Sequence, residues 1–291
     1  MFAIAGVSGN TGSVVVDTLL AKGKKVRVIV RDAKKGEPFR ARGAEVAVAS
    51  FEDVPALTKA LEGAEGAYFL QPPDVTATDF LAGRIAFADG LARAIDASRV
   101  PHVVFLSSIG AHRPDGTGVI VSLYNAEQRL AKTQAKLTFV RAAYFFENWA
   151  PSLGAAAASG KLPTFIEAEH AMPMIATRDI GAVAAQALIE GPPAEHIQII
   201  ALEAPRAYSP RDVAEAAARA LGRPVEPDFA PAEAIEPAFQ SFGMSADVAR
   251  HMRGMYVGIN ADVVRFAGAG ERHVRGTTEL ETVVRALLPS T

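Results

Sequence analysis

Three glycines spaced three apart, Gly6, Gly9 and Gly12, interrupt the first apolar run of this chain and leave it few ways to fold. Phe2 to Ala5 suits a buried parallel strand. Ser13 to Lys22 then carries Val15, Leu19 and Leu20 at helical spacing, so the glycines fall at a strand-to-helix turn. There Gly6 permits a tight bend, Gly9 lets the backbone approach a ligand phosphate, and Gly12 brings helix close onto strand. The free N–H groups of the turn, with Ser8, Asn10 and Thr11 set between the glycines, form an anion cradle, and a nucleotide is expected in it.

Lys25 to Arg31 alternates with β-branched residues and reads as the second strand. In a dinucleotide fold, an acidic side chain ~20 residues past the glycines holds the adenosine ribose, whereas an arginine accommodates a 2′-phosphate. Arg31 and Asp32 supply both types here, and Lys34 and Lys35 add positive charge, so NADP(H) is expected in preference to NAD(H). Alone, Arg31 also reads as a solvated strand-end charge.

Further strands at 44–48, 66–70, 102–107 and 137–141 alternate with helical stretches at 54–61, 80–98 and about 119–132. This alternation predicts an α/β fold, a Rossmann-type doubly wound parallel sheet with right-handed crossovers. Ligands of such sheets bind at the carboxyl ends of the strands, which places Ser50, Phe51, Leu70, Gln71, Pro72, Ser107 and Ser108 on one surface. Gly110 to Gly118 reads as a mobile loop. After Asn148 the composition turns rich in Pro and Ala, with strand-like pieces only at 164–166 and 196–202. The expected division is a nucleotide-binding domain over 1–150 and a smaller, mostly helical, substrate-side region over 151–291, partly packed back onto the first. Ser209, followed by Pro210 and Asp212, is the expected cap of a helix there.

The 30 basic and 32 acidic residues leave a formal charge of −2, so no broad pull toward nucleic acid or an anionic membrane is expected. No cysteine is present, which excludes disulfides and thiolate catalysis, and the six histidines show no metal-ligand spacing, so no metal is expected. No apolar run approaches the ~18 residues of a membrane span, and strand-forming residues begin at position 2 with no basic leader. A cytoplasmic protein with a small-molecule substrate is expected, with a homodimer as the assembly considered.

Several stretches together resemble the NmrA-like branch of the atypical short-chain dehydrogenases/reductases: 6–12, Val30-Arg-Asp32, Phe105 to Ser108, Glu127, Thr138 to Asn148, and Thr177 to Gly181. The most specific is Arg141 to Asn148, although the family's proline and glycine after the arginine are Ala142 and Ala143 here. The resemblance implies either an NAD(P)H-dependent reductase of the quinone and azo-dye type or an NADP(H)-binding redox sensor without turnover. Typical short-chain dehydrogenases carry Tyr-x-x-x-Lys in the helix after Gly118, with the lysine lowering the tyrosine pKa. This chain has Tyr124 followed at that spacing by Gln128, and Leu123 where many relatives carry histidine or lysine. Tyr124 and Ser108 are the candidate catalytic residues, with Ser107 beside them, although Tyr124 equally reads as a half-buried structural tyrosine. Tyr144, with Phe145, Phe146 and Trp149, reads either as a pocket wall beside the nicotinamide or as core, and His112 as a loop histidine. The leading expectation is hydride transfer from NADPH to a quinone, azo, imine or enal acceptor, because such acceptors have less need of a dedicated acid.

Overall fold

The computed structural model describes residues 1–289. Strand β1 (Phe2–Ile4) leads through the glycine turn into α1 (Asn10–Ala21). The alternation continues with β2 (Val26–Val30), α2 (Ala33–Arg40), β3 (Glu45–Val48), α3 (Val54–Leu61), β4 (Gly66–Leu70), α4 (Phe80–Ser98), β5 (His102–Ser108), α5 (Val121–Leu130) and β6 (Lys136–Ala142). Beyond these lie α6 (Ala150–Ser159), α7 (Thr177–Glu190), β7 (Ile197–Glu203), α8 (Pro210–Leu221), α9 (Ile235–Ser241), α10 (Ala246–Asn260), β8 (Arg272–Arg275) and α11 (Leu280–Leu287). The eight labelled strands form one sheet in the order β8-β7-β6-β5-β4-β1-β2-β3. Every neighbouring pair in it is parallel, so the expected doubly wound sheet is present. Its growth reverses between β1 and β4, and the crevice of such a sheet opens at that switch.

The two-residue period of the strands sorts the core into two layers. Ile4, Val28, Tyr68, Val104 and Val140 face one way and pack under Val15, Val16 and Leu19 of α1 and Ile180, Ala184 and Leu188 of α7. Ala3, Ile29, Phe69, Phe105 and Phe139 face the other way, under Leu57 and Leu61 of α3, Leu91 and Ile95 of α4, and Leu130 of α5. Helix α7 lies close on α1 because residue 181 is glycine: a Cβ there would come within 2.6 Å of Val14 and 2.8 Å of the Thr11 carbonyl.

The sequence after 150 divides its work. Strands β7 and β8 extend the large sheet, so a boundary at 150 runs through that sheet. Helices α6, α8 and α11 gather around a third apolar cluster that includes Phe146, Trp149, Leu153, Tyr208 and Val284. Ser209 caps α8 as expected, in a reciprocal box with Asp212. Two expectations need correction. The strand read at 164–166 lies instead at Lys161–Thr164, paired with Glu226–Phe229. The 110–118 loop, read as mobile, is packed: the Gly110 N–H donates to the Arg265 carbonyl (3.1 Å), and Thr117 is fully buried. Gly118, at φ +58°, lies so close to α10 that a Cβ would strike its backbone at His251 and Met255.

His102 on β5 is buried, with Nε2 3.0 Å from the Thr138 hydroxyl of β6 and Nδ1 without a partner. Burial holds its pKa down at about 4. Since the unfolded value is ~6.5, the unfolded chain gains a proton that the fold refuses as pH falls through that window, and stability drops by ~1.4 kcal/mol per pH unit. Urea unfolding at about pH 7 and about pH 5 should show wild type losing roughly 2 kcal/mol more than His102→Gln. Equal losses in the two proteins would show that His102 does not govern this pH range.

Candidate functional site

At the carboxyl end of β1 the chain turns through Gly6, at φ +68°, and enters α1 with Gly9 as N-cap. A Cβ on Gly12 would collide with the Gly6 carbonyl, so α1 sits against the end of the strand. Among the described residues no side chain caps α1, which leaves its first N–H groups aimed at the crevice, where the helix dipole favours an anion. Tyr68 on β4 locks the arrangement from below by donating to the Thr11 hydroxyl (2.9 Å, buried).

Two cavities open on this edge. The first is a groove of about 560 Å³ lined by Gly6, Ser8, Gly9, Asn10 and Thr11 at one part, and by Arg31, Lys35 and Phe51 at another. Asp32 is turned to other work: its carboxylate caps α2, accepting from the Lys34 N–H at 2.9 Å. The second, about 410 Å³, has largely apolar walls, to which Leu106, Ile120, Leu123, Met172, Met255 and Ile259 contribute. Leu70, Pro72, Pro73, Leu106, Phe145 and Asn148 line both.

The anticipated residues distribute as follows. Gln71, Ser107, Ser108 and Tyr144 line the second cavity, and Leu70 and Pro72 the junction. Gly12 supports the turn from behind. Ser50 lies outside both linings, its hydroxyl bound to Glu52. Tyr124 lines neither cavity, although its neighbours Ser122 and Leu123 do, so the structure does not bring it to the other candidates. Of the aromatic group, Tyr144 and Phe145 form cavity wall, whereas Phe146 and Trp149 are core. His112 lines neither cavity; burial, followed by the Arg141 charge, lowers its pKa.

Beneath the second cavity lies a buried charged network. Ser107 donates to Glu127 Oε1 (2.6 Å), Arg141 donates to both Glu127 oxygens (3.0 and 2.5 Å), and Arg141 Nη1 reaches Glu271 (2.8 Å). Burial opposes the Arg141 charge, but the two carboxylates outweigh it and raise its pKa. Because the Ser107 proton is committed to Glu127, the hydroxyl offers the cavity its lone pairs. Tyr144 is a poor acid, since burial, together with the Tyr256 hydroxyl 3.3 Å away, pushes its pKa well above 10.

The Thr177-Arg-Asp-Ile-Gly181 stretch acts through backbone contacts. Glu147 accepts from the Thr177 N–H (3.0 and 3.1 Å) and hydroxyl (2.6 Å), capping α7, and Asp179 accepts from the N–H groups of Thr277 (3.1 Å) and Thr278 (2.9 Å). The NmrA-like family profile matches residues 1–265. This chain belongs to the NmrA-like family. It is 28% identical over 258 residues to the NAD(P)H azoreductase of Xenophilus azovorans, covering 88% of this chain and 86% of that protein. With quinone oxidoreductase 2 of Escherichia coli strain K12 it shares 26% identity over 182 residues, 59% of this chain and 61% of the other. The fold matches an NADPH-dependent quinone oxidoreductase of Escherichia coli complexed with NADPH, at TM-score 0.83 and 23% identity over 99% of both chains. It also matches a Citrobacter sp. triphenylmethane reductase complexed with NADP(H), at TM-score 0.83 and 19% identity over 99% and 100% of the chains.

Sequence reasoning on this NmrA-like protein missed Arg84, Met172, Met255, Ile259 and Val264, which wall the second cavity. The i, i+4 spacing of Met255 and Ile259 marks an apolar helix face, but only the fold shows that this face meets a cavity. Gly9 separates local fold from binding. A Cβ there meets only the Gly6 carbonyl, at 3.4 Å, and the backbone sits at φ −100°, which any residue adopts. Gly9→Val should therefore melt cooperatively near wild type while losing NADP(H) binding in calorimetry. A folded variant with wild-type affinity would show that the turn does not hold the nucleotide.

Proposed function

We propose that this chain is an NADPH-dependent oxidoreductase that passes a hydride to a small, flat, apolar electrophile of the quinone, azo, imine or enal type. The observation that carries this reading is the junction of the two cavities, where six residues are shared between a groove fit for a dinucleotide and an apolar chamber. The groove fits the nucleotide on three counts: the uncapped start of α1, the open space over Gly9, and the Arg31 and Lys35 charges farther along. Bound there, NADPH supplies the hydride. The names of the azoreductase and quinone oxidoreductase relatives agree with this chemistry.

The chain's own part is binding and orientation. The walls of the second chamber exclude water from an aromatic ligand, and Tyr144 and Phe145 offer ring faces and edges for stacking. The Ser107 lone pairs orient a donor group, and Gln71, whose Oε1 shares the Ser122 hydroxyl (2.9 Å) with the Val119 carbonyl (2.7 Å), presents its amide N–H. None of these is a general acid near neutrality. Tyr124 stands apart from the cavity, so proton supply falls to solvent, and this suits acceptors whose reduced anions are stable. NADP(H) preference rests on Arg31 and Lys35 lining the groove while Asp32 is occupied at the start of α2.

Spectrophotometric assay of NADPH oxidation across quinones, azo dyes, imines and enals should reveal steady turnover with at least one acceptor. Tight nucleotide binding with no turnover on any of them would favour a redox sensor instead. In calorimetry, Arg31→Ala should weaken NADPH about tenfold or more, the worth of a charge-assisted contact, and leave NADH nearly unchanged. Equal weakening of both nucleotides would remove Arg31 from 2′-phosphate recognition.

A further inference from the structure

Among the described residues, Arg84 is the only charged side chain lining the second cavity. It lies near the start of α4, 7% exposed. Its Nη1 donates to the Pro72 carbonyl, its Nη2 lies 3.3 Å from Asp74, and its guanidinium sits 5.6 Å from the centre of the Phe80 ring. Nε is buried and has no partner. Burial lowers the pKa of Arg84, and Asp74 partly offsets this. Asp74 itself is 44% exposed and lies outside the cavity lining, so water weakens its hold on Arg84. Gln71 Nε2, 3.5 Å from the Arg84 carbonyl, adds a second donor to this corner. Among the described residues, no carboxylate lines the chamber.

Holding the 71–74 loop engages Nη1 with Pro72 and Nη2 with Asp74. It leaves Nε, buried on a residue that lines an apolar chamber, with no partner among the described residues, which points to a use of this cation by the ligand. On the reductase reading above, we propose that Arg84 is the specificity-determining residue of the acceptor cavity, selecting acceptors with an electronegative oxygen that turns anionic on reduction and disfavouring cationic ones. With a quinone, NADPH in the groove would supply a hydride, its dihydronicotinamide becoming the pyridinium. The hydride with its electron pair would bond to one quinone oxygen, the ring π electrons would shift to leave the negative charge on the other, and that hydroquinone monoanion would take a proton from water, releasing hydroxide. The Arg84 charge stabilises that oxyanion more than the neutral quinone and so lowers the barrier. A cationic dye is neutralised by the same hydride, so the arginine only opposes its entry.

The test uses anthraquinone-2-sulfonate and the cationic dye crystal violet as probes. Binding is measured by calorimetry on protein saturated with NADP+, and kcat/KM with NADPH, for wild type, Arg84→Met, Arg84→Gln and Arg84→Lys. Wild type should bind the sulfonate in preference to the dye. Arg84→Met should lose about tenfold or more in affinity and kcat/KM for the sulfonate, with no loss for the dye and NADP+ affinity within about twofold. Arg84→Lys should recover most of the loss. Arg84→Gln, which keeps a donor for Pro72, should behave as the Met variant does. Equal losses for both probes, a parallel loss of NADP+ affinity, or a wild type that prefers the dye would overturn the proposal. Charge-selective binding without turnover of any acceptor would support the role of Arg84 while refuting the reductase reading.

Discussion

The closeness of α1 to the end of β1 is the constraint on which the site depends. It exists because Gly12 has no Cβ to meet the Gly6 carbonyl and because Gly6 adopts a positive φ. Once the helix is seated there, its uncapped start faces the crevice at the switch of the sheet. Two neighbours hold it in place. Tyr68 grips Thr11 from β4, and burial raises the phenol pKa so that it stays a neutral donor. Gly181 lets α7 lie against Val14 and the Thr11 carbonyl. The nucleotide half of the site is thus backbone held rigid from several sides, which is what close approach to a phosphate requires.

The apolar cavity proposed for the acceptor is built differently. Its walls come from elements far apart in sequence, including the ends of β4 and β5, the start of α4, the start of α5, and α10. Its floor is the Ser107–Glu127–Arg141–Glu271 network, which links β5, α5 and β6 to the segment before β8. Removing one partner from such a buried set strands a charge, at a cost of about 3–5 kcal/mol. The network therefore links the segment before β8 to the floor of the cavity. It also turns the Ser107 hydroxyl away from acid chemistry.

Much of the groove proposed for the nucleotide was legible in sequence because its signals are local. Gly6, Gly9 and Gly12 are adjacent in the chain and shape one turn, and the alternating strands specify where their carboxyl ends lie. Arg31 and Asp32 were both visible, but only the structure shows Asp32 bound to the start of α2 while Arg31 lines the groove. The acceptor half was largely hidden. Arg84 reads as an ordinary polar position in a long helix, and Met255 and Ile259 as core, until the fold sets them around one chamber. Tyr124 shows the reverse case. Its place in the helix after Gly118, where typical short-chain dehydrogenases carry a tyrosine, made it a candidate, yet α5 places Ser122 and Leu123 at the cavity and leaves Tyr124 outside the lining.

In the proposed reductase, nucleotide and acceptor lie side by side across the wall formed by Leu70, Pro72, Leu106, Phe145 and Asn148. Interligand nuclear Overhauser effects, recorded with NADP+ and a naphthoquinone both in exchange on the protein, test this without depending on turnover. Cross-peaks are expected between the nicotinamide ring protons and the quinone ring, and none from the adenine end. Cross-peaks from the adenine alone would contradict this arrangement, as would two ligands that each bind and show no contact.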